Sequence, residues 1–424
     1  MRIKTLELDS FHSFNDAKIE LNGKNTIFYG INGAGKSSIL KAINLLYANI
    51  INQIVNRKEL RQKYAMSLDD IMFGRPEAGV RATISLNDKE ILYFRQIHRN
   101  TGKKTHDVKS LKEIAETFHK GYFSDEKQEN IPIFVNYGTN RLVLDIPMRI
   151  RKHHDFDTYA AFDHAIENKI DFRTFFEWYR EQQEDENQLK IDKNDLEYED
   201  SGLAAVRKAM LTMIGDCKDI HIERKPRLAM KIKKNGINLN ISQLSDGEKC
   251  TLVLFGDIAR RLTIANPNLS NPLLGKGIVL IDEIDLHMHP SWQREVISAL
   301  CKTFPNIQFI VTTHSPIVLT EALSEWNLFE LRQEENITNI RRVPTLEGYD
   351  VNHILHSYMG TSERNKSVEK QFHEFYVLVE NKKFSEAELL LQKLKDLTDE
   401  NYSEIIDADM VLKREKYRDL HRKD

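Results

Sequence analysis

The chain has 424 residues, 41% hydrophobic and 29% charged, which supplies more than one core's worth of apolar material and excludes a compositionally disordered chain. Lys and Arg total 61 against 64 Asp and Glu, a formal charge of -3; a polybasic coat is excluded, and nucleic-acid contact is confined to a local patch. The 3 cysteines, Cys217, Cys250 and Cys301, show no C-x-x-C spacing, so a reducing compartment is expected, with neither a disulfide framework nor a cysteine zinc site.

The opening MRIKTLELDSFHSF alternates polar and apolar residues and lacks the apolar h-region of a secretory signal. Apolar runs such as Ile278–Ile281 are strand-sized, so a soluble, cytoplasmic protein with no membrane span is expected. Residues 3–8 and 16–21 alternate as half-buried strands do. Residues 26–29 form an apolar strand that runs into a glycine-rich loop, followed by a helix from Lys36 to about Tyr47. Two more strands follow at 79–86 and 90–96, joined at Asn87-Asp88. The stretch 98–129 is a polar excursion with one helix, and 131–137 returns as a buried strand.

Phe172, Phe175, Phe176 and Tyr179 then recur at helical spacing, a pattern that reads as core. A helix over 202–214 precedes strands at 219–224 and 228–233, closed by a Lys234-Asn235-Gly236 turn. From 276 the order is strand, helix, strand, helix, which requires a parallel sheet with right-handed crossovers. Beyond Val343 the chain is helical and charged, with apolar spacing at Phe372, Phe375 and Leu378 and at Leu389–Leu391 and Leu394.

Four motifs carry chemistry. Gly30-Ile-Asn32-Gly33-Ala34-Gly35-Lys36-Ser37 fits the P-loop pattern between a strand and a helix, with Ser38 next in line. Such a loop surrounds phosphates with backbone N–H groups; Lys36 reaches the β- and γ-phosphates and Ser37 ligates Mg²⁺. Gly277–Ile281 is an apolar strand ending in Asp282-Glu283, which places one carboxylate to hold Mg²⁺ and the next to act as general base. Leu244-Ser245-Asp246-Gly247-Glu248 precedes an apolar helix and fits either a phosphate-receptive helix start or an ordinary N-cap. His314 ends another apolar strand and reads either as structural or as a hydrogen-bond donor to a γ-phosphate.

In this order the four parts resemble an ABC-type ATPase head, and Asp285-Leu-His-Met-His-Pro290 resembles its D-loop, which removes a zinc reading of His287 and His289. The resemblance implies an α/β head that binds ATP and Mg²⁺ and dimerises head-to-tail. Each ATP would lie between one P-loop and the partner's Leu244–Glu248 signature, with Glu283 and His314 catalytic. Asn136 is the Q-loop candidate. Asp246 and Glu248 depart from the transporter-type L-S-G-G-Q and lean, with LELDSFHSF, towards the SMC, RecF and OLD-like branch; His12 stands where that branch usually carries Arg.

IPIFVNYGTNRL, FFEWYREQQEDE and LSDGEKCTLVLFGDIARRL narrow the resemblance to stand-alone ATPase subunits of Septu-type and related retron anti-phage systems. The resemblance implies a homodimer or higher even-numbered homo-oligomer that works with a separate HNH-type DNA nuclease, with DNA met directly or through that partner. The expected organisation is an N-terminal ATPase lobe over 1–138, a helical arm over 139–218, a second ATPase lobe over 219–343 and a helical docking element over 344–424.

Two alternatives stand beside this reading. One is a DNA clamp of RecF or SMC type, with DNA contacts from a cluster such as Arg149, Arg151, Lys152, His153 and His154. The other is an OLD-like nuclease whose metal would need Glu380, Asp407 and Asp409, although the residues between them read as helical and leave little room for a TOPRIM sheet.

Overall fold

In the computed structural model, the described residues are 1–55, 64–124, 127–128, 130–141, 156–215, 217–225, 227–360, 366–397 and 402–421. The basic cluster at 149–154 lies outside them. The chain divides into two units, Met1–Tyr349 and Asp350–Asp424.

The first unit is built on two main sheets. Strands β1 (Arg2–Phe11), β2 (Phe14–Glu20), β4 (Glu77–Leu86), β5 (Lys89–His98) and β6 (Lys104–His106) form an antiparallel sheet in the order β2-β1-β4-β5-β6. The second sheet combines β3 (Thr26–Tyr29), β9 (Ile133–Tyr137), β13 (Gly277–Ile281), β14 (Ile307–Thr313), β15 (Asn327–Glu334) and β16 (Ile337–Val343), in the order β16-β15-β3-β14-β13-β9. All its pairings are parallel except β15–β16. Strands β3, β14 and β13 and the edge strand β9 are buried along their whole length, hence their largely apolar runs.

Helix α1 (Lys36–Val55) lies between the sheets: Tyr47 stacks on Phe134 of β9 with ring centroids 4.2 Å apart, and the Asn49 side chain donates to the Tyr93 hydroxyl of β5 at 3.0 Å. This double packing explains why α1 is the one helix, among the described residues, long and apolar enough to cross a membrane. Its apolar residues face protein on both sides. Gln308 joins the sheets a second time, accepting from the Ile3 N–H at 2.7 Å and donating to the Ile3 carbonyl at 3.1 Å.

The remaining elements are α2 (Val108–Tyr122), the two-residue strands β7 (Phe123–Ser124) and β8 (Lys127–Gln128), α3 (Phe172–Asp192), α4 (Ser201–Leu211), the antiparallel trio β10 (Cys217–Glu223), β11 (Ala229–Lys234) and β12 (Ile237–Asn240), α5 (Asp246–Ala265), α6 (Pro290–Thr303) and α7 (Pro316–Thr320). The aromatics at helical spacing on α3 are buried, and a Cβ at Gly256 of α5 would lie 3.1 Å from the Phe175 ring. Glycine there sets how closely α3 approaches α5.

Sequence pattern leaves 327–343 unassigned, yet it forms a hairpin. Glu335 and Asn336 take positive φ, the geometry of a two-residue turn between β15 and β16.

The second unit holds α8 (Val351–Ser357), α9 (Lys366–Glu380), α10 (Phe384–Leu397) and α11 (Ser403–His421). Phe372, Phe375 and Val379 pack with Ala387, Leu391, Leu394, Ile405, Ala408 and Leu412, one apolar stripe per helix. Glu380 ends α9, whereas Asp407 and Asp409 lie on α11, where Asp409 pairs with Lys395 and Lys413. Helices in place of a βαβ sheet leave the OLD-like metal site without its scaffold.

Candidate nucleotide site

The parallel sheet brings the motifs to one edge. The P-loop follows the C-terminal end of β3, Asp282 follows β13 and His314 follows β14, at the edge where open α/β sheets bind ligands.

The loop needs its glycines. Gly30 has φ +154, and a Cβ there would lie 2.3 Å from the Leu331 carbonyl oxygen; Gly35 has φ +95, with the Phe14 ring 2.9 Å from a Cβ position. The back of the loop is held by Thr338 of β16, whose hydroxyl donates to the Ala34 carbonyl at 3.2 Å and bonds Ser13 at 2.7 Å. Asn32, Gly33 and Ser37 are exposed, while Ala34 and Lys36 are buried.

Lys36 begins α1, and its ammonium donates to the carbonyls of Gly30 at 2.9 Å and Ile31 at 2.8 Å. Burial pulls its pKa down to about 8, against the opposing pull of Asp282, Glu283 and Asp285. The Ser37 hydroxyl donates to Asp282 Oδ2 at 2.8 Å, and the Thr312 hydroxyl donates to Asp282 Oδ1 at 2.5 Å. These oxygens are a hard donor set suited to Mg²⁺, which takes few protein ligands beside phosphate and water.

Glu283 adopts φ +48, a left-handed conformation unusual for a non-glycine residue, and its N–H donates to Thr312 Oγ1 at 2.8 Å. Asp285 accepts from the Thr313 hydroxyl at 2.5 Å. His314 is half-buried; burial first and Lys36 second lower its pKa against the opposing pull of Glu283, Asp285 and Asp282, which favours the neutral imidazole. Ser38 faces His12, Oγ to Nδ1 at 3.1 Å. His12 in turn meets Asp70 at 3.0 Å, and Lys41 approaches the same carboxylate at 2.6 Å. Burial alone would raise the Asp70 pKa, but the bonds from His12 and Lys41 outweigh it and hold the carboxyl well below its usual range.

Ser245 caps α5. Its hydroxyl accepts from the Glu248 N–H at 3.3 Å, while Glu248 Oε2 accepts from the Ser245 N–H at 2.8 Å, a complete capping box. Glu248 also pairs with Lys234. A Cβ at Gly247 would fall 2.4 Å from the His287 carbonyl oxygen, so glycine lets the helix start sit against the His287 backbone. Ser245–Glu248 and His287–His289 line one concavity of about 790 Å³ with Ser291 and Trp292, whereas Leu244 is buried. Among the described residues no hydrogen bond joins this concavity to Gly30–Ser38 of the same chain.

Asn136, the Q-loop candidate, lies in β9. It pairs with Leu280 inside the sheet, is buried, and donates its side-chain N–H to Asn168. Strand β9 ends one residue later at Tyr137, whose carbonyl accepts from Asp282 N at 2.8 Å. The residue that pattern reading missed is Arg141, buried just past β9, which donates to the backbone carbonyls of Asp282 and Glu283. No local motif marks it, because both partners lie far away in sequence.

Residues 26–320 match the family described as "AAA domain, putative AbiEii toxin, Type IV TA system". The chain belongs to this family of ATPases. The "Retron Vc95 probable ATPase" of Vibrio cholerae serotype O1 biovar El Tor is 31% identical over 373 residues, covering 77% of this chain and 72% of that one. The "Retron Ec83 probable ATPase" of Escherichia coli is also 31% identical, over 389 residues, covering 75% and 69%. The "Septu protein PtuA" of Bacillus mycoides (strain KBAB4) is 25% identical over 408 residues, 94% of this chain and 50% of that one. Among solved structures, an SmcHead bound to the C-winged helix domain of ScpA aligns at TM-score 0.49 and 15% identity, covering 81% of this chain and 98% of that one. The retron and Septu resemblance seen in the sequence motifs is thus matched along most of the ATPase's length.

Proposed function

We propose that the protein hydrolyses ATP in a head-to-tail homodimer and thereby regulates a separate HNH-type nuclease in an anti-phage complex. The observation that carries the catalytic part is the meeting of Ser37 and Asp282 at 2.8 Å, beside the buried Lys36.

In this reading Gly30, Asn32, Gly33, Ala34, Gly35 and Ser38 shape the phosphate loop. Lys36 exchanges its bonds to the loop carbonyls for the β- and γ-phosphates. Ser37 and Asp282 would hold Mg²⁺, which would supply charge to offset that of the phosphate oxygens. Glu283 accepts the proton of the attacking water, and the neutral His314 donates a hydrogen bond towards the γ-phosphate. Ser245, backed by Leu244, Asp246, Gly247 and Glu248, closes the partner's site, with Asp285 shaping the D-loop beside it. Among the described residues no hydrogen bond ties the concavity at Ser245 to the P-loop of the same chain, and the concavity is open to a second chain. The nuclease partner and any DNA contact rest on the likeness to the retron and Septu proteins.

Steady-state hydrolysis, together with native mass spectrometry of complexes purified from the genomic locus with and without ATP, tests this reading. A co-purifying small nuclease on an even number of ATPase subunits supports it. A bare ATP-dependent dimer would redirect it to a DNA clamp, and absence of hydrolysis would refute it.

A further inference from the structure

We infer that Arg141 is a positioning residue for hydrolysis, a clamp on the Asp282–Glu283 turn that ties the general base to the helix carrying Ser245. The inference rests on the ATPase reading above and deepens it.

Arg141 is 3% exposed, yet among the described residues its guanidinium forms no direct ion pair, although Asp282, Asp285 and Glu283 lie near enough to act on its charge. Buried arginines ordinarily pair with acidic groups. Here Nη2 donates instead to two consecutive backbone carbonyls, Asp282 at 2.9 Å and Glu283 at 2.5 Å, while Nε is buried without a hydrogen-bond partner. One nitrogen reaches two successive carbonyls only where the chain turns sharply, and Glu283 at φ +48 supplies that turn. The backbone conformation at Glu283 sets the direction of its Cα–Cβ bond, and hence where the carboxylate can reach. Holding both carbonyls therefore holds the base.

The same segment is gripped by α5 at both ends. Cys250 Sγ donates to the Arg141 carbonyl at 3.5 Å, and the Tyr137 hydroxyl donates to Asp257 Oδ2 at 2.7 Å. Tyr137 in turn accepts from Asp282 N at 2.8 Å. Cys250 lies just beyond the first turn of α5, whose cap is Ser245. A shift of that helix start, when Ser245 meets a nucleotide across the interface, passes through Cys250 and Arg141 to Glu283. Base geometry in one site then depends on engagement of the signature in the other.

The test uses the full chain with Arg141→Lys and Cys250→Ala, measuring kcat and KM for ATP, ADP affinity by fluorescence titration and the melting temperature. Lysine keeps the charge but not the rigid planar donor group. Arg141→Lys is expected to lower kcat by roughly 10- to 100-fold, with KM and ADP affinity within about threefold of wild type. Cys250→Ala is expected to lower kcat in the same direction by less. An unchanged kcat in Arg141→Lys would overturn the inference. So would loss of ADP binding in step with kcat, or failure of Arg141→Lys to fold, since either makes Arg141 a structural strut. A wild type that hydrolyses no ATP would overturn the ATPase reading itself, and this inference with it.

Discussion

Ser37 and Asp282 are 245 positions apart in sequence and 2.8 Å apart in space. One lies in the first turn of the helix behind a glycine loop, and the other follows a strand two positions from β3 in the sheet. Their contact depends on β14 lying between β3 and β13, an arrangement that right-handed crossovers allow but adjacent sequence does not specify. Thr312 on that intervening strand binds Asp282 from the other side and also receives the Glu283 N–H. The strand between the two motifs thus fixes both carboxylate-bearing residues.

Nucleotide affinity should carry the titration of Lys36. Burial lowers its pKa to about 8, so below that pH the cation is ready for phosphate, and above it binding must take up a proton. The ATP dissociation constant should be flat near neutrality and rise by up to about tenfold per pH unit above pH 8. Calorimetric titrations at pH 7 and 9 check this. Lys36→Ala should remove tight binding at both, and retained affinity in that variant would refute the assignment.

Glu283→Gln keeps the side-chain shape and removes the base. The variant should bind ATP with near wild-type affinity, accumulate ATP-bound dimers and turn over about 10²- to 10⁴-fold more slowly. Single-turnover hydrolysis and size-exclusion chromatography with ATP read both effects. Wild-type turnover would assign the base elsewhere.

The parts legible in the sequence are those in which one contiguous run holds both scaffold and chemistry. Gly30–Ser37 carries its own strand, loop and helix start, and Gly277–Glu283 carries a buried strand and its terminal acids. The surroundings of Asn136 were illegible for the opposite reason: its place in β9 is set by pairing with β13, and its side chain meets Asn168, 32 positions away. Arg141 answers to carbonyls of distant residues, which have no side-chain signature. Thr338, at the back of the P-loop, sits on a hairpin whose β15 residues alternate too little to stand out, being buried from Asn327 to Leu331. Leu244–Glu248 was legible as a helix start: Ser245 caps α5, and it also lines the open concavity, which leaves room for the phosphate-receptive reading.

Ser245 is exposed, so Ser245→Arg can place its side chain in solvent and should cost only about 1 kcal/mol through the lost N-cap. Nucleotide binding at its own P-loop should survive, while ATP-dependent pairing is blocked by bulk and charge. Mixed with Lys36→Ala subunits, it should recover one composite site per dimer, from its own P-loop and the other subunit's intact signature. Analytical ultracentrifugation of the mixture with ATP decides the matter. No pairing at all would count against the head-to-tail arrangement.

The final prediction concerns the core beneath the site. Asp257 of α5 is fully buried, with Arg260 at 2.8 Å, Arg261 at 2.8 Å and the Tyr137 hydroxyl at 2.7 Å. Burial by itself would raise its pKa, but Arg261 and Arg260 outweigh that and hold the carboxyl well below the usual range. Asp257→Asn leaves two buried guanidinium groups without their counter-charge, a loss of roughly 3–5 kcal/mol at pH 7. The sign of the pH effect follows from the depressed folded-state pKa: the stabilisation is full above the unfolded value near 4 and fades as pH falls below it. The gap between wild type and Asp257→Asn in urea unfolding should therefore be widest near neutrality and narrow progressively as pH drops below about 4. A gap that is absent at pH 7, or that widens in acid, would mean the charged trio contributes nothing to holding α5 against β9.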